Sequence, residues 1–408
     1  MSRRRVALGL LLALFVATRA GGAWLAHHPE TYRLGPANVT GDVDRYEDYT
    51  NRVVRDGGTL YDEVRIEYPP GNLPFLFLPV AGPESHPYRW WFIGLMVLVD
   101  AVGLLGLVVI ARRAGSWWGP WVWVLLVPLL GPIAYCRLDL VPAVATIWAF
   151  ERMQAQSWFG VGALLGFGAV TKVYPAFLLV LVLARRWRTR LVLGAGAAVL
   201  VAVLPFVGVL GGLWDSVVGY HTGRGLQLES TASAALLGAG QFDRPVLIVY
   251  EDGAFHTHAT GAGLLKTASL ALSLGTLATA AWLAWKRVRE GSLADLVAVM
   301  LGTLALLLAV GSVFSPQFML WLSALGAVAA AVAPRALRTP LVLLAVANVL
   351  TQAVYPFHYD GLLHYRAGPL AVLMVRNLCV AGIGLFIFER LGRRRFMSSA
   401  PGPAEAVR

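Results

Sequence analysis

Charged residues are scarce in this sequence. Asp, Glu, Lys and Arg together make up only 14% of its 408 residues, whereas 57% are hydrophobic and apolar runs of membrane-spanning length recur along the chain. A soluble enzyme is excluded, because such a composition cannot supply the polar surface that a soluble domain needs. The composition therefore predicts an integral membrane protein in a lipid bilayer.

Cysteine is also rare, and no internal repeat is evident. Cys136 and Cys379 are far apart in sequence and neither belongs to a CxxC pair, so they imply no metal site and no disulfide. The spacing of the histidines fits no standard metal motif. The missing repeat argues against a transporter of the inverted-repeat kind.

The net charge of +11 is a topology signal. The basic residues form short clusters between the apolar runs. These clusters begin at Arg3, Arg112, Arg185, Lys286, Arg335 and Arg393. All of these clusters fall on one side of the membrane, and the positive-inside rule makes that side cytoplasmic. The sequence thus predicts a multi-pass plasma membrane protein with both termini in the cytoplasm and no nucleic-acid partner.

The apolar windows predict an all-α polytopic membrane protein of about twelve transmembrane helices. They are residues 6–26, 89–111, 117–135, 139–152, 157–170, 174–184, 191–210, 263–285, 293–312, 317–333, 340–355 and 368–389. Arg19 interrupts the first window and no cleavage site follows, so it is expected to be a retained helix. We expect one domain over 1–396, with long external loops at 27–88 and 211–262, and a disordered cytoplasmic tail at 397–408.

An acid-rich polar segment follows the first apolar window and contains the sequence Gly-Asp-Val-Asp-Arg-Tyr. Its Asp42 and Asp44 flank one residue, so their carboxylates point the same way in an extended loop and diverge on a helix. A partly desolvated carboxylate at the membrane surface is suited to act as a general base toward a sugar hydroxyl. A solvated acidic loop is the alternative.

The same external segment ends in a stiff corner, Glu-Tyr-Pro-Pro-Gly. The two prolines deny this stretch a helix and hold Glu67 and Tyr68 at the start of a turn. Such a corner is able to aim Glu67 into a cavity beside Asp42. The alternative is a structural turn with a glutamate at its rim.

Lys172 lies between two apolar stretches, at the outer turn of a short predicted hairpin. A lysine in this setting needs a partner, which is either an anion in a polar cavity or the membrane interface reached by snorkelling. In the second external loop, Arg224 stands beside glycines and is able to present its planar fork to a phosphate or to a loop acid. Gln227 and Glu229 follow it and are suited to bind sugar hydroxyls.

Three further polar positions lie near the predicted membrane helices. Arg137 and Asp139 are almost adjacent, so a mutual ion pair is the simpler interpretation and a polar wall of a cavity the other. Gln317 stands at a helix start after a proline, where it serves either as a substrate hydrogen-bond donor or in a cap. Asp100, within an apolar helix, is either functional or paired internally.

Read in order, these motifs resemble those of the GT-C glycosyltransferases, and most closely the actinobacterial mannosyltransferases of the family 87 type that use polyprenol-phosphate-mannose. The matching motifs are D-V-x-x-Y at Asp42, E-Y-P-P at Glu67, K-x-x-P at Lys172, R-x-L-Q-x-E-S at Arg224 and S-P-Q-F-x-x-W at Ser315. The resemblance implies a GT-C-like bundle with an acid in the first external loop as catalytic base or metal-binding residue. It covers most of the chain.

The resemblance also implies roles for these residues. Asp42 is the first choice for the base and Asp44 the second, and the expected substrate-binding residues are Glu67, Tyr68, Lys172, Arg224, Gln227, Glu229 and Gln317. The expected function is inverting transfer of a sugar, mannose by resemblance, from a polyprenyl-phosphate donor to a glycan or glycolipid acceptor outside the cell. No metal-ligand set is predicted, although paired acids also suit a divalent metal. A transporter or flippase for a lipid-linked sugar is the alternative function.

Overall fold

The structure is a computed structural model that describes residues 3–31, 37–83, 85–185, 188–242, 246–251, 253–288 and 292–393. The predicted tail at 397–408 lies outside this part of the chain. Most of the described residues are helical. The α-helices are α1 Arg3–His27, α2 Gly41–Val54, α3 Leu73–Phe77, α4 Tyr88–Ala114, α5 Trp118–Leu126, α6 Leu140–Gln154, α7 Trp158–Ala169, α8 Tyr174–Arg185, α9 Thr189–Val203, α10 Leu210–Trp214, α11 Tyr220–Gly223, α12 Thr231–Gly240, α13 Ala262–Lys286, α14 Leu293–Val310, α15 Met319–Val332, α16 Arg338–Gln352, α17 Tyr359–Leu363 and α18 Ala367–Gly392.

Helices of membrane-crossing length confirm the polytopic helical fold. Within the described ranges, seven helical segments are long and apolar enough to cross a bilayer, or eight if α5 and the following 3-10 helix Pro128–Tyr135 are one span bent by 70°. Pro128 stands at this bend, where its ring and missing N–H interrupt the helix. Several of the twelve apolar windows form shorter helices such as α6, α7 and α8, which pack between longer ones.

The centre of the bundle is formed by α14 and α15. In the most apolar window of α14, 72% of the residues are buried, against 6% in the segment Thr189–Gly219. A helix that is apolar on all sides belongs in such a centre, whereas α9 and α13 present large exposed apolar side chains of the kind that face lipid. Ser292 and Asp295 form a capping box at the start of α14, which fixes where it begins.

Glycines allow α7 and α9 to pack closely. A side-chain carbon placed at Gly162 would overlap the carbonyl oxygen of Leu191, and one placed at Gly194 would overlap that of Phe159. The two backbones therefore approach each other more closely than any larger residue permits. This contact fixes the hairpin of α7 and α8, whose turn carries Lys172.

A small sheet occupies the predicted external loop at 211–262. The described residues form three antiparallel strands, β1 Leu226–Gln227, β2 Val246–Glu251 and β3 Ala254–Ala259, in the order β1-β3-β2. Gly253 closes the β2–β3 hairpin with a φ of +72°, a conformation that favours glycine. The sheet is an addition to the predicted all-α fold, although the molecule remains dominated by helices.

The polar connections meet at one end of the bundle. The side-chain amide of Asn72 donates to the carbonyl oxygen of Thr171 at 2.8 Å, which joins the first external segment to the Lys172 turn. The backbone N–H of Gln227 donates to the carbonyl oxygen of Ser312 at 3.0 Å, which joins the sheet to the loop between α14 and α15. These contacts bring together segments that are distant in sequence and that contain most of the predicted site residues.

Candidate active site

The acidic segment folds as the amphipathic helix α2, with Asp42 and Asp44 in its first turn. Residues two apart lie on nearly opposite sides of a helix, so the two carboxylates diverge. The Asp42 carboxylate lies 2.9 Å from the guanidinium Nε of Arg137, and the Asp44 carboxylate lies 2.6 Å from Arg89. Asp44 is about half exposed, whereas Asp42 faces the protein. The helix thus excludes the extended arrangement in which both carboxylates point the same way.

Arg137 is the buried partner of Asp42. Its Nη1 donates to the carbonyl oxygens of Val39 at 2.7 Å and Cys136 at 2.9 Å. The guanidinium therefore binds both the backbone that leads into α2 and the first carboxylate on that helix. The sequence interpretation of a mutual Arg137–Asp139 ion pair is wrong in this structure, because these side chains, two residues apart, take separate partners.

Lys172 takes Asp139 as its partner and lies in an aromatic surrounding. Its Nζ is 3.7 Å from the Asp139 carboxylate and lies 5.4 Å from the ring centre of Tyr68 and 5.9 Å from that of Phe318. These distances permit cation–π attraction as well as charge pairing. The ammonium thus faces the protein, as an anion-binding lysine would, and does not depend on snorkelling.

The Glu-Tyr-Pro-Pro corner docks on the Lys172 turn. The N–H of Gly71 donates to the carbonyl oxygen of Val170 at 2.8 Å. A side-chain carbon at Gly71 would come within 2.6 Å of that oxygen, so this close approach requires glycine. The corner holds Tyr68 beside Lys172, where its hydroxyl accepts a hydrogen bond of 3.2 Å from Tyr46. Burial raises the pKa of both tyrosines well above the usual range, so both remain neutral.

Glu67 contacts α2 one to two turns beyond Asp42, at Arg45 and Tyr49. Its carboxylate is 3.1 Å from Nη1 of Arg45 and also accepts a hydrogen bond from the Tyr49 hydroxyl. Burial raises the pKa of Tyr49, and the Glu67 charge adds to the rise. Because Asp42, Arg45 and Tyr49 are three and four residues apart, they share one face of α2.

Arg224 lies near this face. Its guanidinium carbon is 5.2 Å from the ring centre of Tyr220, and Tyr220 in turn acts electrostatically on Tyr49. Arg224 is thus linked, through Tyr220, to the side of α2 that Glu67 contacts.

Gln227 and Glu229 form a second, more deeply buried group. The Gln227 amide donates to the Ser315 hydroxyl at 2.7 Å, and the Glu229 carboxylate is 3.1 Å from Nη2 of Arg376 on α18. Burial raises the pKa of Glu229 to about 7, and Arg376 opposes this rise. Gln317 lies half-buried in the 3-10 turn before α15, as its predicted place at a helix start requires.

Comparison with known proteins settles the family. The model for glycosyltransferase family 87 matches residues 67–316, which is more than half of the chain. The chain belongs to glycosyltransferase family 87. With its membrane-spanning helices, it is a membrane glycosyltransferase. The matched range contains Lys172 and Arg224, whereas Asp42 precedes it.

The other comparisons add little detail. No curated protein matches the chain. Among solved structures, the chain is similar to apo ArnT from Cupriavidus metallidurans, with a TM-score of 0.45 and 15% identity over 96% of this chain and 78% of that one.

In this family 87 member, the ion pairs have a common design. Asp42 and Lys172 keep 24% and 19% of their side chains exposed, whereas their partners Arg137 and Asp139 keep only 7% and 2%. Each partly exposed group is thus backed by a buried opposite charge. Buried ion pairs cost desolvation energy, and such pairs are frequent where a site needs charges of fixed direction. The arrangement is able to accept a proton at Asp42 and to bind an anion at Lys172.

The described residues of this glycosyltransferase contain no obvious metal site. No group of three or more His, Cys, Asp and Glu side chains there is placed to hold a metal ion. Asp42 and Asp44 do not form a shared ligand pair, because they diverge on α2.

Sequence analysis did not single out two residues that border the site. Arg376 pairs with Glu229 from within α18, and its position inside an apolar window was a usable signal, because a charge in a membrane helix needs a partner. The Tyr355 hydroxyl donates to the carbonyl oxygen of Asn38 at 3.0 Å, next to the Val39 carbonyl that Arg137 binds. Tyr355 carried no such signal, because its place depends on a contact between distant segments.

Proposed function

We propose that this glycosyltransferase moves a mannosyl residue from a polyprenyl-phosphate donor to a glycan or glycolipid acceptor, with inversion at the anomeric carbon. The observation that carries the proposal is the pair of partly exposed groups, Asp42 and Lys172, each held by a buried counter-charge. One is a base and the other a cation, which are the two groups that such a transfer needs.

The proposed step balances as an in-line displacement. The Asp42 carboxylate takes the proton of an acceptor hydroxyl, whose oxygen then forms a bond to the anomeric carbon. The bond between that carbon and the phosphate oxygen breaks, and its electron pair leaves with the polyprenyl phosphate. A β-linked donor thereby gives an α-mannoside. Lys172 stabilises the negative charge that grows on the departing phosphate, and does so more strongly in a half-buried setting than in open water.

The remaining predicted residues fit roles around these two. We assign the base to Asp42 and not to Asp44, because Asp44 faces outward against Arg89. Tyr68 forms a wall beside Lys172, and Arg224 is a second cation that is able to meet the donor phosphate on the Glu67 side of α2.

The more buried predicted residues have supporting roles in this proposal. Glu229 and Gln227 hold the loops that carry the site, since their side chains are buried and bound to Arg376 and Ser315. Gln317, which is half-buried, and Glu67, which Arg45 and Tyr49 hold beside α2, are proposed to contact the sugars.

The site is proposed to face the outside of the plasma membrane. The basic clusters support this orientation, since they belong on the cytoplasmic side with both termini. In this placement the prenyl chain stays in the outer leaflet while its phosphate reaches Lys172.

The test is transfer of radiolabel from polyprenyl-phosphomannose in membranes that contain wild type or a variant. Asp42→Asn is expected to lower kcat by about 10²- to 10⁴-fold, which is the usual contribution of a general base. Lys172→Ala is expected to weaken use of the donor, seen in its kcat/KM. Asp48→Asn makes the same charge change at an exposed position of α2 and is expected to leave transfer unchanged.

Two results would contradict the proposal. Transfer that survives Asp42→Asn at the wild-type rate removes the assignment of the base. If wild type moves the labelled lipid across the membrane but transfers no sugar to any acceptor, the transporter alternative is correct for this chain.

A further inference from the structure

Four aromatic rings form a continuous series from the surface of the β2–β3 hairpin toward Asp42. Tyr250 and Phe255 are directly opposite each other on β2 and β3, with ring centres 5.0 Å apart. Phe255 is 5.9 Å from Tyr359, and Tyr359 is 5.0 Å from Tyr355 at right angles. We call these four residues the aromatic ladder. The spacings are typical of favourable edge-to-face pairs.

The aromatic ladder is open at its outer end. Tyr250 is 60% exposed, Phe255 and Tyr355 are half-buried, and Tyr359 is buried between them. Side chains alternate along a strand, so the exposed Leu247 of β2 lies on the opposite face of the hairpin. The exposed ring of Tyr250 therefore lies on the face of the hairpin that carries the other rings of the ladder, opposite the face of Leu247.

The inner end of the aromatic ladder reaches the candidate active site. The Tyr355 hydroxyl binds the carbonyl of Asn38, and Arg137 binds the next carbonyl and the Asp42 side chain. The hairpin turn borders the same helix, since a side-chain carbon at Gly253 would overlap the guanidinium of Arg45. The ladder and the turn thus border α2 close to Asp42.

We propose that the aromatic ladder binds an oligosaccharide acceptor beyond the sugar that receives the new residue. This inference rests on the proposed function, because it takes Asp42 as the base at which the acceptor hydroxyl reacts. The C–H bonds on the face of a sugar ring carry partial positive charge and stack on the negative face of an aromatic ring. An acceptor with its reactive end at Asp42 has to extend outward. Along that direction lie the half-buried rings of Tyr355 and Phe255 and the exposed ring of Tyr250, while the buried Tyr359 supports them from behind.

The ladder predicts that acceptor length matters. The probes are octyl α-mannoside and an octyl α-mannotrioside, with kcat/KM measured for both at saturating donor. Wild type is expected to prefer the trioside by about tenfold, which is the scale of one or two aromatic contacts. Tyr250→Ala is expected to remove most of this preference while the monoside is used as before. Tyr250→Phe keeps the ring and is expected to keep the preference, and Leu247→Ala, on the other face, is the matched control.

The outcomes separate this inference from the proposed function. If wild type transfers mannose but Tyr250→Ala leaves the ratio of the two acceptors unchanged, the ladder is packing only and the inference is wrong. If wild type transfers to neither acceptor, the proposed function fails, and equilibrium dialysis of the trioside against purified protein decides the inference separately. If wild type and Tyr250→Ala retain the trioside equally, or if neither retains it, the inference about the aromatic ladder is overturned.

Discussion

At the level of single residues, the charges of the candidate active site are arranged in two pairs that cross between segments. Arg137 belongs to Asp42 on α2, and Asp139 belongs to Lys172 on the α7–α8 turn. Arg137 and Asp139, although only two residues apart, are therefore not partners of each other. This pairing leaves one carboxylate, Asp42, and one ammonium group, Lys172, partly exposed, each held by a buried residue of opposite charge.

A different buried pair is structural. Arg19 and Asp100 meet at 2.9 Å between α1 and α4, and the Asp100 carboxylate also accepts hydrogen bonds from Trp123 and Tyr135. Sequence analysis left open whether Asp100 is functional or internally paired. The structure shows the internal pair, with both charges satisfied inside the membrane region.

Glu229 supplies a prediction of pH dependence. Its pKa is raised from the ordinary 4.5 to about 7, so the folded state holds this proton more tightly than the unfolded state does. The stability that it contributes is fully present below about pH 4.5 and is lost as the pH rises through 7, by an amount on the order of 3 kcal/mol. Glu229→Gln does not titrate. As the pH is raised from 5 to 8, the melting temperature of wild type is expected to fall relative to that of Glu229→Gln. A difference between the two melting temperatures that does not change with pH would contradict the assignment.

At the level of elements, the site depends on how closely neighbouring segments approach. The Glu-Tyr-Pro-Pro corner sits on the Lys172 turn through Gly71, and that turn is carried by a hairpin fixed against α9 through Gly162 and Gly194. A bulky residue at any of these glycines would push apart the backbones that bring Tyr68 to Lys172.

Gly194→Val tests the close packing of α7 and α9. The new side chain meets the backbone of α7 at Phe159, so the variant is expected to lose about 1–3 kcal/mol of stability, the usual range for overpacking. Gly196→Val makes the same substitution on α9 where no atom lies within 4 Å and is the control. Thermal stability in detergent, followed by size-exclusion chromatography, is the measurement. Equal melting temperatures for Gly194→Val and Gly196→Val would refute the packing argument.

At the level of the whole molecule, the connections that carry the site meet at one end of the helical bundle. Asn72, Gln227 and Tyr355 lie in three distant segments, and each makes a hydrogen bond to another segment at this end. The α6–α7 turn at Ala155 lies at the far end of two helices that start or finish near the site. A single orientation of the bundle therefore decides on which side of the membrane the chemistry takes place.

Thiol labelling in intact cells tests this orientation. In a chain with both natural cysteines replaced, Thr260→Cys lies in an exposed connection after β3 and is expected to react with a membrane-impermeant maleimide. Ala155→Cys lies on the opposite side by the positive-inside rule and is expected to react only after the cells are opened. The reverse pattern would place the site in the cytoplasm and overturn the proposed external face.

The sequence by itself determined the class of the molecule and most candidate residues. Apolar windows predicted a polytopic helical membrane protein, because the bilayer demands long runs of apolar residues whatever the tertiary contacts are. The ordered motifs resembled the glycosyltransferase family to which the chain belongs. The structure brings Tyr68 next to Lys172, and Tyr46, which follows Asp42 by one turn of α2, donates a hydrogen bond to Tyr68.

Only the tertiary structure decided which charges pair and how each carboxylate points. Asp42 was preferred to Asp44 by resemblance alone, and only the helix α2 showed that their carboxylates point apart. Arg137 was expected to pair with Asp139, but its side chain binds Asp42 on α2. The β2–β3 hairpin and the Tyr355 contact likewise join segments that are far apart along the chain. The physical reason is that ion pairs, ring contacts and hydrogen bonds between distant segments depend on packing, whereas membrane insertion and local turns depend on neighbouring residues.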